Sequence, residues 1–190
     1  MNDLAALSRL IENLIRFGVI AEVQMTPPRV RVKTGQILTT WLPWLAVRAG
    51  EDKDWDPPSE GEQVVLFSPS GQLANGVALT GVFSTDNPAN GDRAGLHRRT
   101  YRDGAMIEYD SVAHHLRAVL PEAGTCELIS KGGLHIVGPI THEGDYTQTG
   151  NQNITGKVMV SEDVVAAGIS LVEHPHGSVM PGSGKTGKPE

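Results

Sequence analysis

The residues best suited to chemistry lie near the end of the chain, where one proline separates His174 from His176. In an extended chain, side chains two residues apart project from the same face, so the two imidazoles point together. One chain then supplies two nitrogen ligands, too few for a closed site. Three chains on a threefold axis would supply six, an octahedral set that suits iron, cobalt or nickel better than tetrahedral zinc. Two ordinary surface histidines are the alternative that spacing alone leaves open.

Other candidate motifs do not fit a catalytic site. The sequence Gly-Lys-Thr at 184–186 resembles the end of a phosphate-binding loop, but Val179 stands where that loop needs glycine. His114 and His115 are adjacent, so on a strand they face opposite ways. The carboxylates of residues 51–56 lie in a charged loop closed by two prolines, which is typical of a solvated loop. We therefore expect no enzyme.

Composition limits the class of protein further. The formal net charge of −6 argues against a general nucleic-acid binder. No stretch nears the roughly 18 to 20 apolar residues that a bilayer requires, so we expect no transmembrane helix. Asp3 and Glu12 interrupt the first apolar stretch and no basic region precedes it, so we expect no secretory signal and synthesis in a cytoplasm. The single cysteine, Cys126, excludes an intrachain disulfide and is expected to be a small buried side chain.

The chain opens with an amphipathic pattern over residues 2–17. Its apolar side chains follow alternating spacings of three and four residues, which predicts a helix of about four turns with a coiled-coil-like seam. Asp3 could cap the helix and Gly18 would end it. The helix either packs on its own domain or meets copies of itself. The seam consists of Leu4, Leu7, Ile11 and Leu14.

From Val19 onward the apolar pattern changes to a period of two, which predicts strands. Five short strands within about 65 residues favour a small antiparallel barrel, for which the OB-fold is the commonest host. The cations of one strand, Arg29, Arg31 and Lys33, share a face, but no aromatic residue interleaves with them. A solvated or protein-contacting face is therefore favoured over a nucleic-acid platform. The predicted strands cover residues 19–23, 29–33, 38–47, 63–68 and 77–83.

The second half of the chain has a different composition. Turn residues at 84–92 mark a boundary, and of the nine aromatic residues only Tyr146 follows residue 109. Two strands are predicted at 103–110 and 116–120. Beyond Gly132 the apolar side chains are too few and too small to offset roughly 1 to 2 kcal/mol of backbone entropy per residue within one chain. Alternation and β-branched residues favour an intertwined β-structure of several chains over disorder.

Taken together, these features resemble the baseplate assembly protein V family, the central spikes of contractile phage tails and of R-type bacteriocins such as pyocins. The resemblance extends over essentially the whole chain. Its motifs are Thr40-Trp41-Leu42-Pro43-Trp44-Leu45 with Arg48-Ala49-Gly50, the segment 58–64, Gly81-Val82-Phe83-Ser84, the segment 103–109, and residues 163–171 leading into His174-Pro175-His176-Gly177.

The resemblance implies a mainly β homotrimer in four parts. These are an N-terminal helix (1–18), an OB-fold barrel that forms a collar on the tail hub (19–92), an intertwined triple-stranded β-helix shaft (93–172) and a metal-bound apex (173–190). At the apex, His174 and His176 of three chains would bind one iron ion in octahedral geometry. Residues 178–190 would fold back around the ion.

The implied function is structural. Sheath contraction would drive the spike, held by the baseplate hub, through the bacterial outer membrane, with no catalysis and no nucleic-acid partner. Its location would be the tail baseplate tip of a virion or a bacteriocin particle. The alternative is an OB-fold module that binds nucleic acid or carbohydrate on a trimeric stalk.

Overall fold

The computed structural model describes residues 2–174 and residue 182. It contains one α-helix, α1 (Asn2–Glu12), and two short 3-10 helices (Pro69–Gly71 and Leu73–Asn75), and is otherwise mainly β. Its contacts divide the chain into two units, Met1–Ile129 and Ser130–Glu190. None of the helical segments in the described residues has the length and apolar character needed to span a bilayer. The first unit contains β1 (Ile15–Met25), β2 (Pro28–Thr34), β3 (Ile37–Leu38), β4 (Gln63–Phe67), β5 (Val77–Val82), β6 (Leu96–Thr100), β7 (Met106–Asp110) and β8 (His115–Val119).

Five strands of the first unit form an antiparallel sheet in the order β3-β2-β1-β4-β5. The loop after β3 connects the two sides of this sheet. Leu42 exchanges two backbone hydrogen bonds of 2.8 Å with Val30 of β2, and Leu45 donates to the carbonyl of Ala78 in β5 at 2.8 Å. Because these bonds join β2 to the far strand, they close the sheet into a small barrel.

The barrel core follows from the alternation in the strands. Val30 and Val32 of β2, and Val64 and Leu66 of β4, are fully buried, while the residues between them face outward or are partly covered. Each such side chain contributes about 1.5–3 kcal/mol when it leaves water. The cluster also includes Ile20 of β1 and Ala78 of β5, with Val23 and Trp44 packed against it.

Helix α1 is shorter than the sequence pattern predicts. It ends at Glu12 instead of continuing to Gly18, because the next residues join the barrel. Ile15 pairs with Phe67 and Phe17 pairs with Val65. β-branched and aromatic side chains favour a pleated, half-buried surface, and this tertiary pairing overrides the helical spacing.

The predicted strand at 38–47 is also wrong for most of its length. Strand β3 contains only Ile37 and Leu38, and the chain beyond makes single bridges at Leu42 and Trp44. Pro43 between those bridges has no N–H to donate to a ladder, which explains why a continuous strand does not form.

Strands β6, β7 and β8 form a separate antiparallel sheet within the first unit. Arg98 of β6 lies opposite Glu108 of β7, and its Nε donates to the carboxylate at 2.6 Å. Arg93 forms an ion pair with Asp110 at the end of β7.

The described part of the second unit contains one short hairpin, β9 (Val165–Ala166) with β10 (Ile169–Ser170). Ala167 and Gly168 in its turn have φ values of 52° and 82°. Positive φ at both central positions is the pattern of the tight hairpin turn that matches strand twist. This hairpin leads directly into His174.

Candidate metal-binding apex and shaft

His174 lies just after β10 and its ring contacts the hairpin. A ring nitrogen, Nδ1, lies 2.7 Å from the carbonyl oxygen of Ser170. Because a carbonyl can only accept, Nδ1 carries the hydrogen in this contact and the lone pair of the neutral ring lies on Nε2. A metal-ligating histidine commonly donates its other ring N–H to a carbonyl or carboxylate in the same way. The chemistry of His174 therefore fits a metal ligand.

His176, the second predicted ligand, lies outside the described residues, as do the Gly-Lys-Thr segment at 184–186 and most of the predicted apex. Among residues 2–174 and 182, no group of three or more histidine, cysteine or carboxylate side chains is arranged to hold an ion. The metal-ligand assignment of His174 and His176 thus stays a prediction.

The carboxylate of Asp163 makes hydrogen bonds at both ends of the hairpin segment, just before β9 and just after β10. Its Oδ1 accepts hydrogen bonds from the backbone N–H groups of Val164 at 2.8 Å and Val172 at 3.2 Å. The hydroxyl of Ser170 lowers the pKa of this carboxyl from its ordinary value, and the backbone N–H donors add to the effect. Sequence analysis did not single out Asp163 or Ser170, because their importance depends on contacts across the turn.

Residues 134–163 show a repeat that sequence analysis also missed. The chain bends at residues 138, 144, 150 and 156, each a glycine with φ between 112° and 142°. It bends again at Glu162, six residues further on. Side chains with a Cβ rarely adopt this φ, so the glycines are what permits the bends. Glycine at every sixth position was the signal in the sequence.

The apolar residues follow the same period. Positions two and four residues after each bend lie on one face of the extended stretch between bends. Many of them are apolar and about half or more exposed within this chain, which leaves a stripe of apolar surface without intrachain cover. The aliphatic members between Gly138 and Val160 are Ile140, Ile154, Val158 and Val160.

The backbone N–H groups of this stretch also have no backbone acceptors among the described residues. Within residues 134–163, no backbone N–H donates to the backbone carbonyl of another described residue. Buried backbone groups are almost always hydrogen-bonded, so a stretch of this length must find its partners in water or in other chains.

In the basic strand β2, the side chain of Arg31 has hydrogen-bond partners within the chain. Arg31 donates to the Glu22 carboxylate at 2.8 Å and to the Thr39 carbonyl at 3.0 Å. One expectation needs correction, since an aromatic ring does lie close: the Arg31 guanidinium is 5.9 Å from the centre of the Trp41 ring. The loop after β3 brings Trp41 there, which strand spacing alone does not reveal. Because Arg31 is already paired with Glu22, its contacts favour a structural role.

Two other sequence candidates are placed in the first unit. The expectation that Cys126 is buried is wrong for the single chain, where it is exposed. It lies in a segment after β8 that forms neither helix nor strand, so no layer covers it.

In the carboxylate-rich loop, Asp56 forms an ion pair of 2.6 Å with Arg99, which gives that carboxylate a structural partner.

Comparison with known protein families defines the class of the two ends of the chain. Residues 16–83 match the type VI secretion system and phage-baseplate injector OB domain. Residues 168–190 match the GpV Apex motif, the metal-binding apex of this family. The first match confirms the OB-fold predicted for the barrel. The second begins at Gly168 in the hairpin turn and includes β10, His174 and His176.

Similarity to one characterised protein makes the class of protein more specific. The chain is 42% identical over 113 residues to the "Spike protein" of Escherichia phage P2. The alignment covers 58% of this chain and 54% of that protein, so the chain spans about half the length of the relative it matches. Together, the two family matches and this relative show that parts of the chain are similar to baseplate and spike proteins. Spike and baseplate proteins of this kind are structural and non-enzymatic.

Proposed function

We propose that this chain is the membrane-puncturing spike at the tip of a contractile tail. It acts as a homotrimer attached to the baseplate hub, and sheath contraction drives it through the bacterial outer membrane. Its place is the baseplate tip of a phage or bacteriocin particle. The four parts are an N-terminal segment (1–18) that contains α1 and the first residues of β1, the collar (19–92), the shaft (93–172) and the apex (173–190).

The observation that carries the proposal is that no backbone N–H of residues 134–163 donates to a backbone carbonyl of another described residue. Among the described residues, this stretch has neither backbone acceptors for its N–H groups nor buried side chains, yet it bends regularly at every sixth residue. Three chains wound together would supply the missing acceptors and cover the apolar stripe, and they would leave no open strand edge. A spike requires such a shaft because a piercing tip must stay narrow under compression.

Helix α1 supports self-association at the other end of the chain. Leu4, Leu7 and Ile11 of its seam are each more than half exposed. An isolated helix of 11 residues is marginal in water, so its apolar face needs a partner. We propose that the seams of three copies pack against one another.

At the apex, His174 and His176 of each chain would hold one iron ion per trimer. The Nδ1–H contact of His174 supports this role because it leaves the lone pair on the nitrogen that would ligate. When bound, the ion ties three chain ends together and stabilises the assembled state only.

Sedimentation together with elemental analysis tests both parts at once. We expect a trimer of about 61 kDa, three times the chain mass of 20.3 kDa, with close to one iron per three chains. A monomer would contradict the spike proposal. A trimer without stoichiometric metal would contradict the apex mechanism alone.

Removing both ligands separates the ion from the shaft. The double variant His174→Ala/His176→Ala should lose the iron yet stay trimeric, because burial in the shaft does not depend on the ion. The matched control His114→Ala/His115→Ala removes two histidines near the start of β8 and should keep both iron and trimer. Loss of the trimer in the first variant would show that the ion nucleates assembly.

A further inference from the structure

Ser170 contacts both the backbone and the His174 ring at the end of the hairpin, the first through its hydroxyl and the second through its carbonyl oxygen. Its Oγ accepts hydrogen bonds from the backbone N–H groups of Val172 at 3.1 Å and Glu173 at 2.8 Å. These bonds turn the chain back just after β10. The turn brings His174 above Ser170, whose carbonyl oxygen then accepts from Nδ1 at 2.7 Å.

The hydroxyl oxygen of Ser170 has a donor for each of its two lone pairs. A serine hydroxyl has one hydrogen to donate and two lone pairs to accept with. Here two backbone N–H groups occupy the acceptor positions. The hydroxyl also lowers the pKa of the Asp163 carboxyl. Asp163 itself accepts from the backbone at both ends of the hairpin segment, so Ser170 is connected to the start of that segment as well as to its end.

We propose that Ser170 is the positioning residue of the apical metal ligand: its turn fixes His174 as the Nδ1–H tautomer, which presents Nε2 for ligation. This deepens the function proposed above and rests on it for the identity of the ion. In water a neutral imidazole exchanges between two tautomers and rotates about its side-chain bonds. A ring held in one tautomer and one orientation before metal binding loses less entropy when the ion binds.

The first test needs no metal. Nitrogen-15 NMR of histidine-labelled trimer, prepared in metal-depleted medium, reports which ring nitrogen of His174 carries the hydrogen, and the spectrum of His174→Ala assigns the signal. We expect Nδ1–H in the wild type and a mixture of tautomers in Ser170→Ala. An Nε2–H ring in the wild type would overturn the proposal, whether or not any variant folds.

The second test measures the rate at which a chelator removes iron. Ser170→Ala keeps the carbonyl but loses the Oγ hydrogen bonds that place it under the ring. We expect it to lose iron about 10 to 100 times faster than the wild type, the range typical of a disturbed outer-shell contact. Ser170→Thr keeps the hydroxyl and suits a strand, so it should restore slow loss. Ser161→Ala, an exposed serine nine residues earlier, is the matched control and should behave as wild type. Equal rates for the Ala and Thr variants would overturn the proposal.

The two tests also separate this inference from the function on which it rests. Wild-type protein without stoichiometric iron would contradict the iron apex, while the tautomer of metal-free His174 would still decide the role of Ser170. Wild-type protein with iron but with the same tautomer in Ser170→Ala would contradict the inference and leave the iron apex standing.

Discussion

At the scale of single residues, Asp110 is a carboxylate held by three donors at the end of β7. It accepts hydrogen bonds from the N–H groups of Ala113 and Val112 and is paired with Arg93. The Ala113 N–H, then the Arg93 guanidinium and the Val112 N–H, lower the pKa of Asp110 to about 2. These contacts close the turn between β7 and β8.

The lowered pKa predicts a pH dependence. A carboxyl with a lower pKa in the folded state stabilises that state above its unfolded pKa of about 3.9, and the contribution is lost as pH falls toward the folded pKa. Thermal unfolding of wild type and Asp110→Asn should therefore differ by a constant amount between pH 7 and about 5. The gap should narrow from about pH 4 to pH 2. A gap that does not change with pH would show that the charge of Asp110 is not what stabilises the turn.

Gly71 is the residue at which α1 rests on the barrel. It has a φ of 68°, and a Cβ built there would overlap the backbone of Leu10 near the end of α1. Gly71→Ala should destabilise the first unit by about 1–3 kcal/mol from the forced shift, in addition to the cost of its φ.

Gly61→Ala is the control for this prediction, because Gly61 has a φ of 87° but open space around its Cβ position. Denaturant unfolding followed by tryptophan fluorescence reports on the first unit, since all three tryptophans lie there. If Gly71→Ala costs no more than Gly61→Ala, then α1 does not rest closely on Gly71.

At the scale of elements, the six-residue repeat of the shaft predicts which lengths of insertion the shaft tolerates. A duplicate of residues 145–150 adds one bend and five extended residues, so every later side chain keeps its face. A three-residue insertion after Gly150 moves the following apolar set to the opposite face and misplaces the next glycine bend. The six-residue insertion should keep the trimer, and the three-residue insertion should weaken it. Sedimentation and thermal unfolding measure both, and similar stability of the two insertions would contradict the repeat.

Elements also show where sequence patterns were insufficient. The alternation in β2 and β4 predicts these strands because one face of each is buried by their own neighbours. The end of α1 was not predictable from spacing, since residues 15–17 are suited to either structure and pairing with β4 decides between them. Likewise, the chain at 42–45 bridges two strands that are distant in sequence, and no local pattern encodes that closure.

At the scale of the whole molecule, amide hydrogen exchange distinguishes a trimeric shaft from a loose tail. Amides in residues 134–163 have no backbone acceptor among the described residues of their own chain. If other chains supply the acceptors, these amides should exchange at least about a hundredfold more slowly than unprotected amides. Exchange at unprotected rates, beside protected amides in β1 and β4, would contradict the intertwined shaft.

The sequence by itself determined the class of this protein. Strand alternation in the first half predicted the OB barrel, because burial of one face imposes a period of two. The shortage of bulky apolar residues in the second half predicted a shared core, because a single chain there cannot offset its own entropy. The motifs around His174 and His176 predicted the apex, which the family match confirms as a motif while the ligands stay predictions.

The tertiary structure decided what depends on contacts between residues distant in sequence or across a turn. It placed Trp41 beside Arg31, ended α1 at Glu12 and brought the Ser170 carbonyl to the ring of His174. In each case the sequence supplies suitable chemical groups, but a hydrogen bond or a ring contact needs positions accurate to a fraction of an ångström. Only the folded backbone provides that accuracy.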